Sequence, residues 1–136
     1  MIARQLDLMP PAEFTVSHRG LQVICRGGTS DEFVAREVIK DRTYRKLRII
    51  SGDIVLDAGM NIGAFALWAL DAGAAAVYGF EPDPDNYALA LRNLRANGLR
   101  DRAHPYQRAL VGQDERSHRE LWLNTKKNKG AHSLVF

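Results

Sequence analysis

Four residues near the middle of the chain have the types and spacing for ligand chemistry. Asp57 ends the apolar run Ile54–Leu56, Gly59 and Gly63 follow it, and Glu81 closes a second apolar run 24 residues beyond Asp57. In an open parallel sheet, ligands sit outside the carboxyl ends of the strands. Glycine at that edge lets the backbone approach a ligand with no Cβ in the way. A carboxylate at the end of the next strand can accept both hydroxyls of a ribose. The set suits an adenosine-bearing ligand.

The spacing narrows the class further. A dinucleotide fold uses G-x-G-x-x-G and rests a pyrophosphate on a helix N-terminus. This chain reads Asp57-x-Gly59-x-x-x-Gly63, without the middle glycine, and it has no Walker loop. A carboxylate at the strand end repels phosphate and attracts a cation. S-adenosylmethionine has no phosphate and carries an ammonium and a sulfonium, so the electrostatics favour it over NAD.

The elements that must position these residues follow from periodicity. "FTVSHRGLQVIC" reads as a hairpin turning around Ser17–Gly20. The segment from Arg26 to Ile50 opens on a glycine turn, with Ser30 or Asp31 as N-cap of a helix broken near Asp41. Ile54–Leu56 is a short strand apolar on both faces, as in parallel sheets covered by helices. A helix over Ile62–Leu70 and a strand over Ala75–Phe80 come next. Asp83 as N-cap, Pro84 at the first helical position and Asn97-Gly98 at the end then punctuate a longer helix. Its predicted apolar face is Tyr87, Leu91 and Leu94, with Arg92, Asn93 and Arg95 facing away. "HPYQRALV" is a third strand, placed by Pro105 at a sheet edge, and Glu120–Asn124 a last one.

The alternation is a right-handed βαβαβ unit, so the fold class is α/β, a Rossmann-like doubly wound sheet represented by its first half. Residues 1–50 are expected to form a hairpin-and-helix extension packed on a half-domain spanning 51–136, the whole being one domain.

Composition excludes several classes. The 136 residues carry a net charge of +3, with the positive charge flanking an acidic middle and forming no dense basic tract, so nucleic acid is not an expected partner. The single Cys25 rules out an intrachain disulfide and a cysteine zinc cluster, and it reads as a small buried strand residue. No apolar run approaches membrane-span length, which gives a cytoplasmic expectation. His18, His104, His118 and His132 have no metal-ligand spacing, so no metal is expected. Asp31 and Asp83 read as caps, and "TKKNKG" as a charged loop.

The stretch "VLDAGMNIGAFALWAL…VYGFEPDPDNYALALRNLRANGL", followed by "HPYQRALVG", resembles the FkbM-type S-adenosylmethionine-dependent methyltransferases. Upstream, "GGTSDEFVAREVI" resembles the segment before that family's first motif. The resemblance runs from about Arg26 to Gly112. It implies that Asp57, Gly59 and Gly63 surround the methionine part of the cofactor, with Asn61 at a loop position where the family often has asparagine. It implies that Glu81 holds the ribose hydroxyls, with Phe80 and Pro82 near the adenine. The implied reaction is O-methylation of a sugar or secondary-metabolite hydroxyl on a small-molecule acceptor. An RNA or protein methyltransferase and a non-catalytic cofactor-binding remnant are the alternatives.

The family continues into a fourth strand bearing a D-x-E-G-like motif, which this sequence does not reach. The expectation is therefore an incomplete enzyme chain, or one completed by a homo-oligomer or another subunit. No residue is assigned as the general base.

Overall fold

The computed structural model describes residues 10–41, 43–112, 120–122 and 133–135. A hairpin of β1 (Glu13–His18) and β2 (Leu21–Arg26) opens the fold, turning through Arg19 and Gly20, both at positive φ. Helix α1 (Asp31–Ala35) follows and runs on into a π-helical turn, Arg36–Lys40. The central unit is β3 (Ile54–Ala58), α2 (Ala64–Asp71), β4 (Ala76–Phe80), α3 (Pro84–Ala96) and β5 (Ala103–Tyr106). Its three strands are parallel and ordered β3-β4-β5. A short antiparallel pair, β6 (Glu120–Trp122) with β7 (Ser133–Val135), closes the description. The expected end of a strand at Asn124, the "TKKNKG" loop, His118 and His132 lie outside the described residues.

Two right-handed crossovers stepping the same way across a sheet put both helices on one face. Val55, Asp57, Val77, Gly79, Ala103 and Pro105 share that face and are wholly or partly buried. The other face carries Leu56 opposite Tyr78 and Ala58 opposite Phe80, and its rings stack in pairs, Tyr78 on His104 at 4.7 Å and Phe80 on Tyr106 at 5.2 Å. Ile54 is 72% exposed and Leu56 65%. The two-sided apolar character of β3 is therefore real, but among the described residues only one of its faces is covered. Pro105 does sit on an edge strand, as its missing N–H requires.

The hairpin does not pack as a separate layer. Val16, Leu21, Val23 and Cys25 join Ala35, Val38, Ile62, Leu67, Leu70, Val77, Leu89 and Leu94 in one apolar core. Two asparagines one helical turn apart, Asn93 on α3 and Asn97 at its C-cap, make the junction. Asn93 accepts the Ile24 N–H at 2.8 Å and donates to the carbonyls of Ile24 at 3.2 Å and Ile62 at 2.9 Å. Asn97 accepts the Gln22 N–H at 2.9 Å and donates back to the Gln22 carbonyl at 2.7 Å. A carboxamide has the donor and acceptor pattern of a peptide, so the pair substitutes for a neighbouring strand along β2 and satisfies an edge that would otherwise stay open.

This corrects the expected helix face. Asn93 is fully buried, on the face formed by Asn86, Leu89, Ala90 and Leu94, while Leu91 is only half-buried. Apolar periodicity cannot find a buried face whose work is hydrogen bonding. Asp31 also differs from its predicted capping role. It lies inside α1, and its carboxylate takes the buried Arg26 guanidinium through Nε at 2.8 Å and NH2 at 3.0 Å. The same Arg26 NH2 reaches Asn86 Oδ1 at 2.6 Å, a second tie from the hairpin to α3. Asp83 is the N-cap that the sequence indicates, accepting the Asn86 N–H at 2.7 Å, with Pro84 at the first helical position.

Asn93→Ala leaves three backbone groups of the seam without partners and is expected to lower unfolding free energy by about 2–4 kcal/mol, against about 1 kcal/mol for the half-exposed Asn97→Ala. Urea denaturation of both variants measures this; equal losses would contradict a seam anchored at Asn93.

Candidate functional site

The turn after β3 is built by backbone bonds to the end of β4. The N–H groups of Gly59 and Met60 both donate to the Phe80 carbonyl, at 2.9 and 2.8 Å. The next amide, Asn61 N–H, donates to Glu81 Oε2 at 2.8 Å, and Glu81 Oε1 takes the Asp83 N–H at 2.8 Å. Three consecutive amides of the loop are thus fixed by two consecutive residues of the neighbouring strand end. The path demands positive φ at Gly59 (86°), Asn61 (51°) and Gly63 (85°), which glycine and asparagine tolerate best.

Met60 sits on Gly79, where a Cβ would overlap its thioether. Gly63 caps α2, which starts two residues later than periodicity indicates, and a Cβ there would press on Ala90 at 3.3 Å. Glycine at 63 therefore serves helix packing as well as the turn.

This loop forms one wall of a cleft of about 400 Å³. Asp57, Ala58, Gly59, Met60 and Asn61 line it from the loop, Ala64 and Phe65 from α2, and Val34, Glu37, Val38 and Tyr44 from the N-terminal segment. Asp57 is only 7% exposed, and its Oδ2 has no hydrogen-bond partner; Asn61 Oδ1 is likewise buried and without one. Burial, with a smaller contribution from the nearby Glu81 charge, pushes the Asp57 carboxyl up to about 7. A buried acceptor without a donor costs free energy, and two of them in one cleft mark a place suited to a cation or a hydrogen-bond donor.

The seven predicted site residues do not share one surface. Asp57, Gly59 and Asn61 line the cleft. Gly63 is buried in the contact with α3. Glu81 is 5% exposed and stands behind the loop, holding the Asn61 and Asp83 amides. Phe80 contributes its carbonyl to the loop, while its ring lies on the open sheet face against Tyr106. Pro82 is half-buried beside them. The Glu81 carboxylate is thus engaged on both oxygens, Oε2 by the loop amide of Asn61 and Oε1 by the Asp83 amide at the N-cap of α3. Sequence reasoning missed Glu37 and Tyr44, whose segment was read as an extension, and Tyr44 offered no periodic signal. Among the described residues no group of three His, Cys, Asp or Glu is arranged to hold a metal ion. Burial, with help from the Asp31 and Glu32 charges, pushes the Cys25 thiol up to about 12, so it is no nucleophile.

No family model matches the chain. Among curated proteins, 31-O-demethyl-FK506 methyltransferase FkbM of Streptomyces tacrolimicus is 40% identical over 74 residues, 52% of this chain and 27% of that protein. Methyltransferase sdnD of Sordaria araneosa is 34% identical over 67 residues, 48% of this chain and 26% of that protein. The chain thus spans about a quarter of the length of the curated relatives it matches. Among solved structures, P. horikoshii TYW2 in complex with MeSAdo superposes with a TM-score of 0.57 at 18% identity, covering 74% of this chain and 39% of that one. A SAM-dependent methyltransferase from Agrobacterium tumefaciens gives 0.54 at 19% identity, covering 70% and 32%.

The Asp57 carboxyl makes stability depend on pH in a definite direction. Below about pH 3 it is protonated folded and unfolded alike. As pH rises toward 7 the unfolded chain ionises first and the folded carboxyl keeps its proton, so stability falls; above about 7 the penalty is constant. Asp57→Asn is expected to match the parent near pH 3 and exceed it at pH 8, by on the order of a few kcal/mol. Urea midpoints across that range test this, and parallel curves would contradict it.

In sequence, over half its length, the chain is similar to the FkbM-type methyltransferases, and its α/β fold is that of the Rossmann-like S-adenosylmethionine-dependent methyltransferases.

Proposed function

We propose that the cleft receives the methionine end of S-adenosylmethionine and that the chain forms the cofactor-binding part of a methyltransferase acting on a small-molecule hydroxyl. The observation that carries this reading is the pair of unpartnered buried oxygens, Asp57 Oδ2 and Asn61 Oδ1, on two residues that line one cleft at the carboxyl end of β3. An ammonium group is the donor-rich cation that such a pair lacks. The relative named for 31-O-demethyl-FK506 supports an oxygen acceptor.

Bound there, the cofactor would supply a methyl group on a sulfonium, ready for direct displacement. The chain's contribution is placement, and alignment of reacting groups supplies roughly 7–11 kcal/mol in favourable systems. In this reading Asp57 and Asn61 hold the amino-acid end, and Gly59 lets the backbone lie against it. Glu81 fixes the loop through the Asn61 amide, and each of its oxygens keeps a lone pair for a ribose hydroxyl. Phe80 and Pro82 border the adenine side, and Gly63 sets the start of α2.

Calorimetric titration of S-adenosylmethionine and S-adenosylhomocysteine into the chain tests the reading, with Glu81→Ala for comparison. Binding by the parent and a loss of about tenfold or more in the variant are expected, since a buried charged acceptor is removed. A folded parent chain that binds neither ligand would refute it.

A further inference from the structure

The Glu37 carbonyl accepts the Thr43 N–H at 3.2 Å, but the side chain takes no part in holding the fold together among the described residues. Among the described residues its carboxylate makes no hydrogen bond or ion pair, although the neighbouring Arg36 is paired with Glu32 at 2.8 Å. It is half-buried on the π-helical turn Arg36–Lys40, which sends Val38 and Ile39 into the core. Single π-turns inside helices recur at functional sites because they reposition one side chain against the helical register. Here the residue so placed lines the same cleft as Asp57 and Asn61.

The polar side chains lining that cleft are nearly all acceptors. Glu37, Asp57 and Asn61 contribute carboxylate and carbonyl oxygens, Tyr44 contributes a hydroxyl, and among the described residues no lysine or arginine lines it. Asp57 Oδ2 is unpartnered on a side chain more than nine-tenths buried, an observation independent of Glu37. Beside these oxygens lies an aromatic group: Tyr44 meets Phe65 edge-on at 4.7 Å, and Trp68 stands 5.9 and 5.6 Å from the two rings. Converging acceptors next to aromatic rings are a recognition site for an organic cation.

We infer that the N-terminal segment supplies the second wall of the cofactor site, with Glu37 pairing the ammonium of the amino-acid end together with Asp57 and Asn61. The inference rests on the cofactor reading above and adds to it a residue from outside the central βαβαβ unit. It makes the π-helical turn Arg36–Lys40 part of the binding machinery, because two elements far apart in sequence must meet for the ammonium to be held from both sides.

The test is a titration of the full chain and of Glu37→Gln with three ligands. S-adenosylmethionine carries ammonium and sulfonium, S-adenosylhomocysteine only the ammonium, and 5′-methylthioadenosine neither. The substitution is isosteric and removes no contact within the fold, so a thermal melt should superpose on the parent's. The expected result is a loss of about tenfold for the first two ligands and less than about twofold for methylthioadenosine. Weakening of S-adenosylmethionine alone would assign Glu37 to the sulfonium and overturn the pairing with the ammonium. Equal weakening of all three would make Glu37 a scaffold residue, and no change would remove it from the site. A parent chain that binds none of the three would sink the cofactor reading itself, an outcome distinct from a parent that binds and a variant that binds equally well.

Discussion

The rest of the structure depends on how the end of β4 holds the turn after β3. The Phe80 carbonyl takes two successive amides and Glu81 takes the third, so the chain from Gly59 to Asn61 has little freedom left. Fixing three amides by hydrogen bonds forces the left-handed conformations at Gly59 and Asn61. It also decides where side chains go. Met60 is turned down onto Gly79, and one side-chain oxygen each of Asp57 and Asn61 is left buried without a hydrogen-bond partner. Polar groups concentrated at the strand ends satisfy the backbone at the expense of two side-chain oxygens, and that imbalance is what gives the cleft its chemistry.

A second constraint brings the N-terminal segment to that cleft. A two-stranded hairpin is barely stable alone in water. Here β2 is closed by the Asn93 and Asn97 carboxamides, and Arg26 is held by Asp31 and Asn86. These polar contacts are directional, so they fix the register of the hairpin against α3 in a way that the apolar core alone would not. With the hairpin placed, α1 and the π-turn are carried across α2, and Glu37 and Tyr44 arrive beside the loop. The Asn93 carboxamide also binds the Ile62 carbonyl, joining the hairpin seam to the start of α2 and hence to the far side of the loop.

The sheet's two faces differ for a topological reason. Both crossovers step in one direction, which covers Val77 and Gly79 and leaves Leu56, Phe80 and Tyr106 on the side without helices among the described residues. The stacked rings of Tyr78 with His104 and Phe80 with Tyr106 shield part of that face, and Ile54 and Leu56 remain its most exposed positions.

The sequence by itself determined the order and type of the main elements, because their signals are local. Asp83 with Pro84, Gly98 after α3, Pro105 on an edge strand and the apolar runs of β3 and β4 each act through their own backbone or nearest neighbours. It also located Asp57 and Gly59 in the loop, since an acid and bare backbone at a strand end are unusual enough to stand out, while Asn61 was marked by the family resemblance. The tertiary structure decided the rest. Periodicity counts apolar side chains, so it placed Asn93 outside when hydrogen bonding to β2 puts it in the core. Only the packed fold shows that the Glu81 carboxylate also holds the Asn61 amide and that Gly63 packs against Ala90, contacts that spacing along the chain does not record. Glu37 and Tyr44 could not be read as lining the cleft at all, because what brings them there is the meeting of two distant segments, and distance along the chain carries no record of that contact.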